Sequence, residues 1–119
     1  MQNLNALRNQ AARFLTDRCH IEKQANVKGK MGDSKAAWQR VGSNLPCRLI
    51  KVGASQQSAI LISTGQERMD EAYKIILPSG TDIGSDYRLL IAGQEYAVVR
   101  VETALTDEFF TEVLAIRKR

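Results

Sequence analysis

The sequence predicts a mainly β protein, a small antiparallel β-barrel or sandwich with an N-terminal α-helix and one long arm between strands. Three observations lead there. From Leu77 to Val101 apolar residues alternate between turn signals: Leu77-Pro78-Ser79-Gly80-Thr81-Asp82-Ile83 marks one reversal, Tyr87-Arg88-Leu89-Leu90-Ile91 reads as a strand, Ala92-Gly93 turns again, and Glu95-Tyr96-Ala97-Val98-Val99-Arg100-Val101 alternates. Short runs of the same kind follow one another elsewhere without the strand–helix alternation of a parallel sheet. A chain of 119 residues suffices for one modest core, so a single domain is expected over 1–119.

The first element expected is a helix within residues 1–17. Leu4, Leu7, Ala11 and Phe14 recur at three- and four-residue intervals, Asn3 can cap the amino end, and nothing before Asp17 breaks the pattern. A lone helix of this length is marginal in water. Its apolar stripe is therefore expected on the domain's own sheet, which needs a cover, or else on a neighbouring subunit.

The barrel is expected over residues 18–118. Cys19 to Gln24 reads as its first strand, with Cys19, Ile21 and Lys23 on one face and His20, Glu22 and Gln24 on the other. The glycine- and charge-rich segment Asn26 to Ser34 reads as an exposed hairpin tip. Its Gly29-Lys30 pair is not followed by Ser or Thr and lacks the earlier glycine of a phosphate loop, so a nucleotide cradle is excluded. Trp38-Gln39-Arg40-Val41 is the next strand, with Trp38 serving either as core or interface bulk or as a single base-stacking platform. Pro46, lacking an amide proton, is expected to open a separate strand, Cys47 to Val52.

Residues 53–71 differ in composition. Gly53-Ala54-Ser55-Gln56-Gln57-Ser58 is small and polar, Ala59-Ile60-Leu61-Ile62 is apolar, and Thr64 to Glu71 is polar again. That is too long for a hairpin turn. It is expected to be a projecting arm holding a short apolar strand or a turn of helix, the plainer alternative being an ordinary extra strand with its loops. The sheet resumes at Ala72 to Leu77 and closes with Phe109 to Arg117, making six or seven strands in all, before the basic tail Arg117-Lys118-Arg119.

Charge is unevenly placed along the chain. Residues 1–60 hold ten Lys or Arg and three Asp or Glu, a balance of +7, whereas residues 61–119 hold seven and ten, a balance of −3. Such asymmetry suits a subunit that shows one face to a polyanion and another to a protein neighbour, or that stacks on copies of itself; ordinary solvated faces are the other reading. No apolar run is long enough to span a bilayer and the amino terminus lacks the apolar stretch of a signal peptide, so a soluble protein made in a reducing compartment is expected. Cys19 and Cys47 have neither metal-ligand spacing nor the framework of a small secreted domain, and are expected to be reduced, partly buried thiols.

Reactive groups do not assemble into a recognisable catalytic pattern. His20 is the one histidine, which removes most zinc sites and any conventional triad. Asp82 and Asp86 lack the remaining oxygens of a calcium loop, and Asx turns account for them better. The expectation is a protein that is not an enzyme and has no catalytic residue, no metal and no cofactor.

The order of features resembles one known family. A strand, a glycine-containing hairpin, a Trp-led strand, a long polar arm, Tyr73-Lys74-Ile75-Ile76-Leu77-Pro78-Ser79-Gly80-Thr81-Asp82-Ile83, the Tyr87-Arg88-Leu89 strand, Gly93-Gln94-Glu95-Tyr96-Ala97-Val98 and a closing strand together resemble the head-tail joining proteins of tailed bacteriophages, also called stopper, head-closure or head completion proteins. The likeness covers residues 18–118; the helix of residues 3–16 departs from the shorter members.

The resemblance implies a structural virion protein, made in the host bacterial cytoplasm and placed at the neck. Copies would form a ring between the portal-adaptor ring of the head and a tail terminator or tail tube, without membrane contact. The ring would retain packaged double-stranded DNA, held without regard to sequence. The arm matches the family's channel-facing loop in position, which makes Ser55, Gln56, Gln57, Ser58, Ile60, Leu61 and Ile62 the candidate gating residues. Lys28, Lys30, Arg48 and Lys51 are candidates to face DNA, while Leu4, Leu7, Ala11 and Phe14 are candidates for helix packing. Two other readings are a tail terminator or related tail-tube ring protein and a stand-alone nucleic-acid-binding barrel. The latter should carry several exposed aromatics among basic strands, and this chain has three Phe, three Tyr and one Trp.

Overall fold

Alternation along the chain becomes alternation across a wall. The computed structural model describes residues 13–28, 34–63, 65, 70–102 and 110–117, excepting the side chains of 26–28 and 34–36. Six strands, β1 (Asp17–Lys28), β2 (Ser34–Lys51), β3 (Glu71–Pro78), β4 (Tyr87–Ile91), β5 (Gln94–Glu102) and β6 (Phe110–Arg117), accompany one helix, α1 (Ala54–Ser63). All neighbours are antiparallel, and the order β1-β2-β3-β6-β5-β4 closes on itself as a barrel. Of the two architectures the sequence allowed, the closed one is realised, and closure removes the exposed edges an open sheet would carry.

Inside lie Cys19 and Ile21 from β1, Tyr73, Ile75 and Leu77 from β3, Leu89 and Ile91 from β4, Tyr96 and Val98 from β5, and Val113 and Ala115 from β6, each set at the two-residue spacing that sends side chains to one face. Tyr73 and Tyr96 meet edge to face at 5.3 Å. The meander turns are as the residues require. Thr81 N donates to Pro78 O at 3.3 Å, closing a turn whose third residue, Gly80, has φ 82°. Ala92 and Gly93, at φ 51° and 78°, join β4 to β5 as a two-residue hairpin whose central residues are both left-handed, the geometry that follows strand twist.

A smaller apolar cluster lies on the outer face, where Val52, Ala72 and Ile116 are covered by Leu61 of α1, with Ile60 and Val99 beside them. Further along that wall the Phe14 and Phe110 rings lie 5.7 Å apart, and the Arg48 guanidinium is 4.0 Å above the Phe14 ring. Arg13 and Phe14 are helical and Leu15 is buried. Leu4, Leu7 and Ala11 fall outside the described residues.

One expected boundary is replaced. Pro46 does not open a strand: β2 runs without interruption from Ser34 to Lys51. Its first part pairs with β1 as far as Asp17↔Cys47, and Arg48–Lys51 then pair with β3. Asn44, at φ 52°, precedes this change of partner, and Pro46 sits at it, where a missing amide proton costs one ladder at most. Cys19 and Cys47, brought together in the interior, are unbridged. The hydrogen bond between the two thiols, reinforced by burial, pushes the Cys47 thiol up and keeps it protonated.

Candidate functional site

What reaches out of the barrel is the β1–β2 hairpin. β4 accompanies β1 only from His20↔Leu90 to Lys23↔Tyr87, whereas β1 continues with β2 to Lys28↔Ser34. Gln24–Lys28 and Ser34–Trp38 therefore form a two-stranded ribbon beyond the wall, and the molecule measures 61 × 37 × 24 Å. Among the described residues neither outer edge of this ribbon has a backbone partner, and the outer edge of β2 stays unpaired until Arg48 meets Ile76. Where β1 leaves β4, a groove of about 360 Å³ lined by Lys23, Gln24, Ser85, Asp86 and Tyr87 opens beside it.

The ribbon's root is held by a charged clasp. Glu22 lies opposite both Arg40 of β2 and Arg88 of β4. Arg88 Nε donates to Glu22 Oε1 at 2.7 Å, Arg40 Nη2 to Glu22 Oε2 at 3.3 Å, and Arg88 Nη1 to Glu95 Oε1 at 3.2 Å. The Arg88 guanidinium also sits 4.1 Å from the centre of the Trp38 ring, which is 38% exposed. The Arg88 hydrogen bond outweighs burial and, with the charges of Arg88 and Arg40, holds the Glu22 carboxyl below its usual range. An aromatic and two arginines on a half-exposed surface resemble the centre of many protein interfaces. The sequence hid this clasp, because Glu22 and Arg88 are 66 residues apart and only strand register brings them together.

The arm expected over 53–71 holds more order than a single helical turn. α1 spans ten residues. The Gln57 side chain ties it down beside both strand ends: its Nε2 donates to Val52 O at 3.0 Å and its Oε1 accepts from Ala72 N at 3.4 Å, while Gln57 N donates to Gly53 O at 2.8 Å within the first turn. Leu61 is buried and Ile60 half-buried against the wall. Ser55, Gln56 and Ser58 are exposed, and Ile62 is 78% exposed, a large apolar side chain left in water. The candidate arm residues thus divide: Gln57, Ile60 and Leu61 seat the helix, while Ser55, Gln56, Ser58 and Ile62 face away. Residues 64 and 66–69 are not described.

The four basic candidates are not brought together. Lys28 lies at the far end of the ribbon opposite Ser34, Arg48 and Lys51 lie at the other end of β2, and Lys30 falls outside the described residues. Arg48 is stacked on Phe14. Lys51 Nζ stands 4.0 Å from Glu71, whose carboxylate also accepts from Arg117 Nη2 at 2.9 Å and from the Tyr73 hydroxyl. Burial, then the hydrogen bond to Glu71, pushes the Tyr73 phenol up to about 12. His20 Nδ1 accepts from Asn44 N at 3.1 Å, and Asp82 Oδ1 accepts from the Tyr87 hydroxyl at 3.2 Å. Among the described residues, no three His, Cys, Asp or Glu are grouped to hold a metal, and no helix is long and apolar enough to cross a membrane.

This geometry can be set beside known proteins. The family model for phage head completion proteins matches residues 11–118. Among solved structures, the chain is similar to protein SF1141 from Shigella flexneri 2a, at 19% identity and TM-score 0.66, covering 87% of this chain and 92% of that one. It is similar to a chain in the virion of a native gene transfer agent particle, at 11% identity and TM-score 0.60, covering 88% and 96%. A third likeness is to XkdH of the phage-like element PBSX of Bacillus subtilis, at 13% identity and TM-score 0.51, covering 86% and 93%. At these identities the structures share the fold. No curated protein matches.

Proposed function

The chain belongs to the phage head completion protein family, and from that premise we propose that it closes the head of a tailed particle as one ring of the neck. Its part in a phage particle is structural. Copies of it sit between the portal-adaptor ring and the tail terminator or tube, and hold packaged DNA in the head. The observation that carries this reading is the family match over 11–118, supported by a barrel whose counterpart occurs in a gene transfer agent virion.

In the ring, α1 is the element turned toward the channel. Ser55, Gln56 and Ser58 offer hydrogen-bonding groups, and Ile62 offers an apolar side chain that symmetry mates could bury. α1 rests on the outside of its own barrel through Gln57, Ile60 and Leu61, and a surface helix of this kind can shift when the tail docks. Lys28, Lys30, Arg48 and Lys51 would meet DNA through phosphates alone, so their contribution should fall steeply with salt.

The test is a particle lacking this protein. Heads should fill with DNA, lose it on purification, and carry no tails; supplying the chain in trans should restore both retention and tail joining. Tailed particles that keep their genome without the protein would overturn the reading, and full, stable heads that fail only to attach to otherwise complete tails would move it to the tail side of the joint.

A further inference from the structure

The ribbon leaves the barrel where β1 and β2 fall out of step. Between the pairs Cys19↔Leu45 and Ile21↔Gly42, β1 contributes His20 while β2 contributes Ser43 and Asn44. Between Ile21↔Gly42 and Glu22↔Arg40, β2 adds Val41 with no residue opposite. Successive bulges on one strand bend it and sharpen its twist, and bulges re-aim whatever follows them. Here the ribbon follows. Gly42, between the bulges, is packed closely: a β-carbon there would stand 2.7 Å from Leu45 Cδ1.

His20 holds the first bulge shut. Asn44 has the left-handed φ of 52°, which a short polar residue tolerates, and its amide donates to His20 Nδ1 at 3.1 Å. The residue facing the bulge across the ladder thus supplies, from its side chain, the acceptor that a displaced amide needs. Only an imidazole without a proton on Nδ1 can accept. Once both ring nitrogens are protonated, His20 meets the Asn44 N–H with an N–H of its own. Histidine is the side chain whose charge changes nearest neutral pH, and His20 is the one histidine of the chain.

The surrounding charges offer a place to each form. On the outer face His20 has Arg18 and Glu22 two residues away along β1; Leu90 lies opposite on β4, with Arg88 two residues before it, and Glu95 of β5 lies opposite Leu90. On β2, Ser43 and Asn44 carry no charge, and Arg40 lies opposite Glu22. Arg40 and Arg88 hold the Glu22 carboxylate, and Arg88 also reaches Glu95 at 3.2 Å. A neutral His20 leaves that clasp alone, whereas a charged one competes for its carboxylates.

We propose that His20 is a pH-sensitive lock on the direction of the ribbon. Unprotonated, it holds the Asn44 amide and fixes the bend of β2. Protonated, it releases that amide, turns toward the carboxylates of Glu22 and Glu95, and frees the ribbon to re-aim. The lock belongs to a single subunit and stands apart from the ring reading.

NMR on the full chain from about pH 8 to about pH 5.5, the range over which imidazoles change charge, reads both ends of the lock. As pH falls, the Asn44 amide should lose about three- to tenfold of its exchange protection, taken relative to the intrinsic rate at each pH. The loss should share its midpoint with the His20 ring resonances. Residual dipolar couplings of Gln24–Lys28 should change together, while those of β3 and β6 stay fixed. Ordinary carboxylates titrate below this range, and that of Glu22 is held lower still. An Asn44 amide and a ribbon indifferent to the titration of the His20 ring overturn the proposal.

Two variants separate the acceptor from the charge. His20→Asn sets an amide oxygen near the position of Nδ1 and takes up no proton in this range, so its ribbon should keep one direction throughout. His20→Ala removes the acceptor, and its ribbon at about pH 8 should show the loss of fixed direction that the parent shows at about pH 5.5. A His20→Asn ribbon that still moves with pH assigns the switch to another group and ends the proposal. A His20→Ala ribbon that keeps the parent's direction at high pH does the same. If His20→Ala does not fold, the parent titration and His20→Asn decide between them.

Discussion

The barrel wall and the ribbon are built from the same two strands and held by different physics. In the wall β1 lies between β2 and β4 from His20 to Lys23, β2 passes from β1 to β3 at Cys47–Arg48, and the sheet has a buried face on which Ile21 of β1, Ile75 of β3 and Leu89 of β4 are 0% exposed. In the ribbon the same strands keep only each other, and what fixes their direction is the clasp of Glu22, Arg40, Arg88 and Trp38 at its root. Apolar burial fixes whether the chain folds; charged and aromatic contacts fix where the projection points.

The comparison is most directly broken at the core. Ile75→Ala should destabilise the fold by about 2–5 kcal/mol, since the lost side chain leaves a cavity among β3, β6 and their neighbours. Urea unfolding of the two proteins measures it; a loss under 1 kcal/mol would mean that the interior does not dominate.

The clasp should respond differently. Glu22→Gln should cost about 1.5 kcal/mol, the order expected for hydrogen bonds to a charged group, and native-state amide exchange should speed up in Gln24–Lys28 before it does in β3 or β6. The sign with pH follows from the depressed carboxyl. Its contribution is present above the unfolded Glu value of about 4.3 and is lost as pH falls through the lower folded value. The parent should therefore lose stability in acid more steeply than Glu22→Gln. Equal acid limbs, or exchange that quickens uniformly, would show that the clasp is not a separate unit.

The smallest effect expected is a gain. Ala92 holds φ 51° in the β4–β5 turn, a conformation that a β-carbon disfavours and Asn tolerates. Ala92→Asn should raise stability by about 0.5–1 kcal/mol, read as a higher melting temperature with ribbon exchange unchanged. A fall would mean that the turn does not have the geometry described.

Legibility followed the same division. The meander from Leu77 to Val101 was plain in the sequence because its strands are short, alternate strictly and are joined by residues whose backbone preferences are local. β2 was misread as two strands, since Pro46 announces a local boundary, and only the neighbours of β2 show that the strand changes partner there without stopping. α1 was legible as an unusual segment. A turn of helix stood there beside a short strand as an equal option, because ASQQSAILIS carries no acid in its first turn and no base in its last, and the contact seating Leu61 comes from β3 and β6. Of the charged groups, the lysines could be counted in advance. The clasp could not, as it depends on the register of β1 against both β2 and β4.

β2 passes from ribbon to barrel as one uninterrupted strand, turned at Asn44 and Pro46. Force applied to the ribbon consequently enters the wall through covalent backbone and is not absorbed in a slack connector. A pull along its axis loads the hydrogen bonds that tie β1 to β4 and β2 to β3 in shear, all together, while a sideways peel would open them one at a time. The projection is a stiff handle on the barrel, and a neighbour that grips it moves the whole subunit.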